Sequence, residues 1–168
     1  MGNQQTEAKK LSLEDFELVR LIGKGAFGKV WMVRRKEFGD IYAMKILHKQ
    51  SVVDQNLIEH TLLERDVMLM CNNPFIINLY WSFQTEENLY FVVDFIGGGS
   101  LWNQLVDDER GYFSEENVRF YASEIILGIE ELHSKGIVYR DLKPENILIG
   151  TDGFILLNHS NFFYNFLI

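Results

Sequence analysis

Only two prolines and one cysteine occur in 168 residues. The lone Cys71 cannot close an internal disulfide, which excludes a small disulfide-held scaffold and suits a reducing compartment. Cys71 lies in an apolar helical run and reads as a buried structural thiol. Scarce proline, with 47% hydrophobic and 24% charged residues, excludes a disordered chain and fits one globular domain long enough to bury a core. Basic charge is short as well: 16 Lys and Arg stand against 24 Asp and Glu, for a net charge of -8. That balance argues against a nucleic-acid partner and is compatible with basic peptides. No run approaches the roughly 18–20 apolar residues of a membrane span. Residues 1–10 are polar and carry no secretory signal. The start Met1-Gly2-Asn3-Gln4-Gln5-Thr6 fits the N-myristoylation pattern, and a polar lead-in with a chance glycine is the competing reading.

What is present alternates between strand and helix patterns. Residues 1–15 read as a flexible lead-in. Phe16–Lys24, residues 27–34 and Ile41–His48 carry the β-branched and aromatic bias of strands, broken by glycine turns, and predict an antiparallel meander. Residues 56–70 turn helical, with Leu57, Thr61, Glu64 and Met68 on one face. Residues 79–83 and 89–93 read as two more strands, and the glycine run 97–99 as a hinge between two lobes. Ser114 caps a helix that ends at Lys135-Gly136 and is expected to bury Val118, Tyr121, Ile125, Ile129 and Leu132. Ile147–Ile149 and residues 154–157 flank a Thr-Asp-Gly turn and read as a hairpin.

Three stretches carry chemistry. Gly23-Lys24-Gly25-Ala26-Phe27-Gly28 falls between the first two strands, whereas the same pattern in dinucleotide folds opens a helix. Between strands, glycines let backbone N–H groups approach phosphate oxygens with no Cβ in the way. Alone, a plain glycine-rich hairpin is the favoured reading. Lys45 follows in Tyr42-Ala43-Met44-Lys45 and shares a strand face with Ala43 by the two-residue period. A lysine turned into a cleft needs a counter-charge, which Glu64 on the next helix can supply. Two unrelated surface charges would lack this sidedness. The last stretch is Tyr139-Arg140-Asp141-Leu142-Lys143-Pro144-Glu145-Asn146.

In this order the elements resemble the ATP-handling and phosphoryl-transfer signature of protein kinases. The resemblance implies that Gly23, Gly25 and Gly28 cradle the phosphates, with Phe27 at the loop tip and Val30 and Ala43 against the adenine. Lys45, held by Glu64, meets the α- and β-phosphates. Asp141 receives or orients the substrate hydroxyl proton, Lys143 meets the γ-phosphate and Asn146 binds one Mg²⁺. Arg140 would hold a phosphorylated activation loop, since guanidinium pairs well with phosphate. With Ala43-Met44-Lys45 and Glu59-His60-Thr61-Leu62-Leu63-Glu64-Arg65, the tyrosine-led loop is similar to the AGC group of serine/threonine kinases, which includes protein kinase A, protein kinase C and Akt. The likeness further implies Val93 as gatekeeper, Asp94 and Ile96 in an adenine-binding hinge, and Leu148 under the adenine. Lys-Pro-Glu-Asn implies serine or threonine as acceptor.

Departures from the family pattern shape the expectation. Ser100 stands where basophilic relatives carry an acid that reads substrate arginine. His159-Ser160-Asn161 stands where Asp-Phe-Gly is expected, and imidazole is a poor ligand for Mg²⁺, a hard cation. Residues 158–168 resemble nothing in the family and read either as a hydrophobic docking peptide or as an aberrant, aggregation-prone tail. The fold expected is α+β: a β-rich N-lobe over 16–96, then the first part of a helical C-lobe over 97–157. The function expected is ATP- and Mg²⁺-dependent phosphorylation of protein serine or threonine, in a chain that reads as truncated. A non-catalytic nucleotide-binding regulator and a non-functional product are the alternatives. A monomer in the cytoplasm is expected, with weak membrane attachment if Gly2 is acylated.

Overall fold

The computed structural model of the chain describes residues 11–25 and 28–158. Strands β1 (Phe16–Lys24), β2 (Gly28–Arg35), β3 (Ile41–His48), β4 (Leu79–Gln84) and β5 (Asn88–Asp94) build one sheet, in the order β1-β2-β3-β5-β4. All four ladders are antiparallel. The expected meander is its first half, and β5 extends it by pairing with β3. Side chains alternate between the sheet faces. Met44, Val33, Val92, Phe16 and Tyr90 form a buried layer on one face, with Trp31, Trp81 and Phe83 packed against it. Leu47 and Phe91 face the other way, toward Met68 and Val52.

Two helices cover that second face. Helix α1 (Lys49–Asp54) has no counterpart in the sequence expectation. Its six residues include Val52 and Val53, which are poor helix formers, and it is held by burial of Val52 against Leu47 and Met68. Asn56, at φ 56°, then breaks the chain before α2 (Ile58–Met70). Thr61 and Met68 are buried on the face predicted for α2, and Cys71, just past its end, lies in the core of the second lobe. Burial pushes the Cys71 thiol up to about 11, so it stays protonated as a packing group.

The second lobe starts with α3 (Leu101–Asp107), also missing from the expectation. It is nucleated by a reciprocal cap: Asn103 N–H donates to Ser100 Oγ at 3.2 Å, and Ser100 N–H donates to Asn103 Oδ1 at 3.0 Å. Helix α4 (Glu115–Ser134) has the expected bounds, with Asn117 N–H donating to Ser114 Oγ at 3.2 Å. Its far end stops at Gly136, whose φ of 72° suits glycine. Strands β6 (Ile147–Ile149) and β7 (Ile155–Leu157) pair antiparallel as the expected hairpin, though Phe154 stays outside it and 47% exposed. Leu157 joins the lobes: its N–H donates to Phe75 O at 2.8 Å, and Ile77 N–H donates to Leu157 O at 3.3 Å.

The buried face of α4 differs from expectation. Val118 is 49% exposed, while Glu124, Gly128 and Leu132 are buried and Tyr121, Ile125 and Ile129 pack partly buried against the core. Contact with the hairpin decides this. Glu124 Oε2 accepts from Ile155 N–H at 2.9 Å, and a Cβ at Gly128 would lie 2.8 Å from Leu157 Cδ1. Desolvation raises the Glu124 carboxyl above its ordinary 4.5, the Ile155 N–H opposes this, and Asp152 adds to the rise. The folded chain therefore keeps a proton that the unfolded chain has released. That contribution is full below pH 4.5 and is lost as pH rises through the folded value. Glu124→Gln should keep the acceptor and flatten this decline in denaturation curves taken across pH. Glu124→Leu should destabilise by about 1–3 kcal/mol, because Ile155 N–H loses its partner.

Candidate active site

The glycine-rich turn is closed by Gly25 N–H donating to Gly28 O at 3.0 Å, with Gly23 opposite Val30 in the β1–β2 ladder. A Cβ on Gly28 would lie 2.0 Å from Ile46 O, so β2 can lie against β3 there only with glycine. At Gly25 the same position is open, with nothing within 4 Å. Phe27, the expected loop tip, lies outside the described residues. Val30 stands opposite Lys45, and Ala43 opposite Val93. These pairings bring four of the expected site residues into two adjacent rows across β2, β3 and β5.

Lys45 Nζ lies 2.6 Å from Glu64 Oε1, with the side chains 22% and 12% exposed. The counter-charge expected from α2 is thus in place. A pair this sheltered is sensitive to loss of either partner, since the other is left charged and partly desolvated.

The loop between α4 and β6 forms a second group. Arg140 takes φ 56°, uncommon for a residue with a Cβ, and Asp141 N–H donates to Tyr139 O at 2.7 Å. Asp141 Oδ1 pairs with Lys143 Nζ at 2.9 Å, and Asp141 Oδ2 accepts from Asn146 Nδ2 at 2.7 Å. Asn146 Nδ2 also donates to Asp141 O at 2.8 Å. Catalytic candidates Asp141, Lys143 and Asn146 are therefore one bonded cluster. Pro144–Asn146 makes a single 3-10 turn that buries Asn146 beneath it. Asn158 N–H donates to Asn146 O at 2.9 Å, and the Tyr139 hydroxyl donates to Asn158 O at 2.7 Å. Burial pushes the Tyr139 hydroxyl well above its ordinary range, so it remains a donor.

Val93, Asp94 and Ile96 are all half-buried, and Leu148 is bridged to Ser100. Sequence reasoning missed Asn78 and Tyr80. Asn78 N–H and Nδ2 each donate to Asp94 Oδ2 at 2.9 Å, and the Tyr80 hydroxyl donates to Asp94 Oδ1 at 2.7 Å. No local pattern signals a contact 14–16 residues apart. A cavity of ≈ 590 Å³ borders this segment, lined by Asn78, Asp94, Phe95 and Ile96 on one side and Asp152 and Phe154 on the other. It includes Asp94 and Ile96 of the expected site but none of Lys45, Glu64, Asp141 or Asn146. His159 lies outside the described residues. Among the described residues there is no group of three or more His, Cys, Asp or Glu that could hold a metal.

The protein kinase domain family model matches residues 16–158. Over 93% of its length the chain is 48% identical to the RAC family serine/threonine-protein kinase homolog of Dictyostelium discoideum, covering 35% of that protein. It is 44% identical to serine/threonine-protein kinase AtPK2/AtPK19 of Arabidopsis thaliana, over 93% of the chain and 34% of that protein. Against serine/threonine-protein kinase SCH9 of Saccharomyces cerevisiae the figures are 45%, 92% and 19%. The chain spans about a third or less of the length of these curated relatives.

The Asp141 cluster makes a pH-dependent prediction. Asn146→Asp replaces a donating amide with a second carboxylate against Asp141 Oδ2. Repulsion raises the affinity of the pair for a proton, so the variant should be most impaired at neutral pH and recover as pH falls. Chemical denaturation should show a loss of about 1–3 kcal/mol at neutral pH.

Proposed function

This chain belongs to the protein kinase family, on its AGC-type serine/threonine branch, and from that premise we propose that residues 16–158 bind Mg·ATP and direct its γ-phosphate toward a protein hydroxyl. The observations that carry the reading are two sets of bonded charges: Lys45 held by Glu64, and Asp141 held by Lys143 and Asn146. Gly23, Gly25 and Gly28 offer backbone N–H groups to the phosphates. Val30, Ala43 and Leu148 supply apolar walls for the adenine, Val93 limits its depth, and the backbone at Asp94 and Ile96 meets its edge. Lys45, oriented by Glu64, neutralises the α- and β-phosphates.

In the family's reaction, the residue at the place of Asp141 takes the proton of the serine or threonine hydroxyl as that oxygen bonds to the γ-phosphorus. The bond to the β–γ bridging oxygen breaks and ADP leaves. Asp141 is the candidate for that role in this chain. Lys143, 2.9 Å from Asp141, places a cation beside the transferred group. Asn146 directs its Nδ2 to Asp141, which leaves its amide oxygen, a hard donor of the kind Mg²⁺ takes. When bound, the ion neutralises charge on the phosphate oxygens. Mg²⁺ ordinarily takes one or two protein carboxylates together with phosphates, so Asn146 would supply only part of the protein coordination it needs.

Ser100 is engaged with Asn103 and carries no charge, which supports an acceptor peptide without the usual arginine preference. His159 follows β7 at the position of the family's Mg²⁺-binding Asp, and its imidazole is a poor substitute. The 168-residue chain is therefore expected to hold nucleotide better than it turns it over. Titration calorimetry with ATP and Mg²⁺ should show binding that Lys45→Met weakens by about tenfold or more, the scale of a lost charge-assisted contact. Binding unchanged in Lys45→Met would contradict the site. With radiolabelled ATP, phosphotransfer should not exceed that of Asp141→Ala, and clear turnover above it would overturn the argument from His159.

A further inference from the structure

Asp94, the last residue of β5, stands opposite Tyr42 of β3 and is also tied to the β4 side by four hydrogen bonds. Three reach its carboxylate from Asn78 N–H, Asn78 Nδ2 and the Tyr80 hydroxyl, and its own N–H donates to Asn78 O at 3.3 Å. The β4–β5 register shifts between Leu79 and Trp81, so Tyr80 is the extra residue of a bulge. Bulges redirect a side chain at the expense of ladder pairing. Here the bulge accompanies the approach of the Tyr80 hydroxyl to Asp94. Its ring is held edge-on to Tyr42, with centroids 5.0 Å apart. On a strand at the sheet's edge, a 45% exposed tyrosine could have been left to water. The bond to Asp94 pushes the Tyr80 hydroxyl up to about 12, which keeps it a donor. The segment after Asp94 is bordered by the ≈ 590 Å³ cavity rather than by close packing, so polar contacts carry much of its support on that side.

We propose that Asn78 and Tyr80 are positioning residues for the nucleotide: acting through the Asp94 carboxylate, they set the backbone at residues 94–96 where it meets the adenine. The inference rests on the nucleotide reading above. It assigns to the start of the edge strand β4 and the residue just before it control over base recognition and none over the phosphates.

The test titrates adenosine and Mg·ATP separately into the full chain and into Tyr80→Phe, Asn78→Ala and Lys45→Met, with the melting temperature followed in each. Tyr80→Phe keeps the ring and removes only the hydroxyl. It should weaken adenosine and ATP by the same factor, about three- to tenfold. Asn78→Ala should do likewise, whereas Lys45→Met should weaken ATP and spare adenosine. In an Asp94→Ala background, where the acceptor is gone, Tyr80→Phe should have a much smaller effect, since the two changes remove one interaction. Tyr80→Phe and Asn78→Ala that melt earlier but bind both ligands normally would reduce the cluster to a structural tie and overturn the inference alone. Native protein that binds neither ligand, or ATP binding indifferent to Lys45→Met, overturns the nucleotide reading and the inference with it.

Discussion

Everything in the cleft depends on where the charge of Lys45 is discharged. The ammonium projects from the face of β3 that also carries Ala43 and Leu47, both buried, so it sits against apolar surroundings. Glu64 answers it at 2.6 Å from a helix that otherwise docks through Met68, Leu47 and Phe91. The gross attraction is several kcal/mol, but desolvation of both groups offsets much of it. What remains is positional: α2 cannot rotate or slide without exposing a bare charge. The pair therefore contributes orientation more than stability, which is what a phosphate site requires of a lysine.

The other half of the cleft owes its shape to a three-residue strand. β7 lies on α4 through Glu124 and Gly128, and against Phe75 and Ile77 at the lobe junction. Its end at Asn158 then bonds Asn146 and Tyr139. Helix, hairpin and loop are thus coupled through backbone groups, and the Asp141 cluster inherits its geometry from that coupling. A buried carboxylate in α4 is tolerated because it satisfies an N–H that the hairpin would otherwise leave unpaired. On this account the loop is supported from beneath, and Arg140 within it takes a backbone angle uncommon for a residue with a Cβ.

Much of this was legible in sequence wherever the signal was local. The strands announced themselves by β-branched and aromatic runs, and α4 by a serine start and a glycine stop. Lys45 and Glu64 could be paired in advance because strand and helix periods each fix a side. Helices α1 and α3 were not legible. The first opposes its own propensity and exists through the burial of Val52, and the second turns on an asparagine doing the work usually given to Glu or Gln in a cap. Burial of Glu124 was not legible either, since periodicity assigns polar residues outward and carries no sign of the Ile155 N–H. Asn78, Tyr80 and Asp94 meet only after β4 and β5 have paired with a bulge, and no spacing rule anticipates that. Phe27 and His159 remain readings from sequence.

The central claim is that nucleotide occupies the space between Lys45 and the Asp141 cluster, edge-on to the hinge. Hydrogen–deuterium exchange of the full chain, with and without Mg·ADP, addresses it most directly because it reports location as well as binding. The account predicts slower exchange at the glycine-rich turn around Gly25–Gly28 and at residues 94–96, with about tenfold more Mg·ADP needed for the same protection in Lys45→Met. Protection at residues 150–154 with none at the glycine-rich turn, or the same Mg·ADP dependence in Lys45→Met as in the native chain, would contradict it.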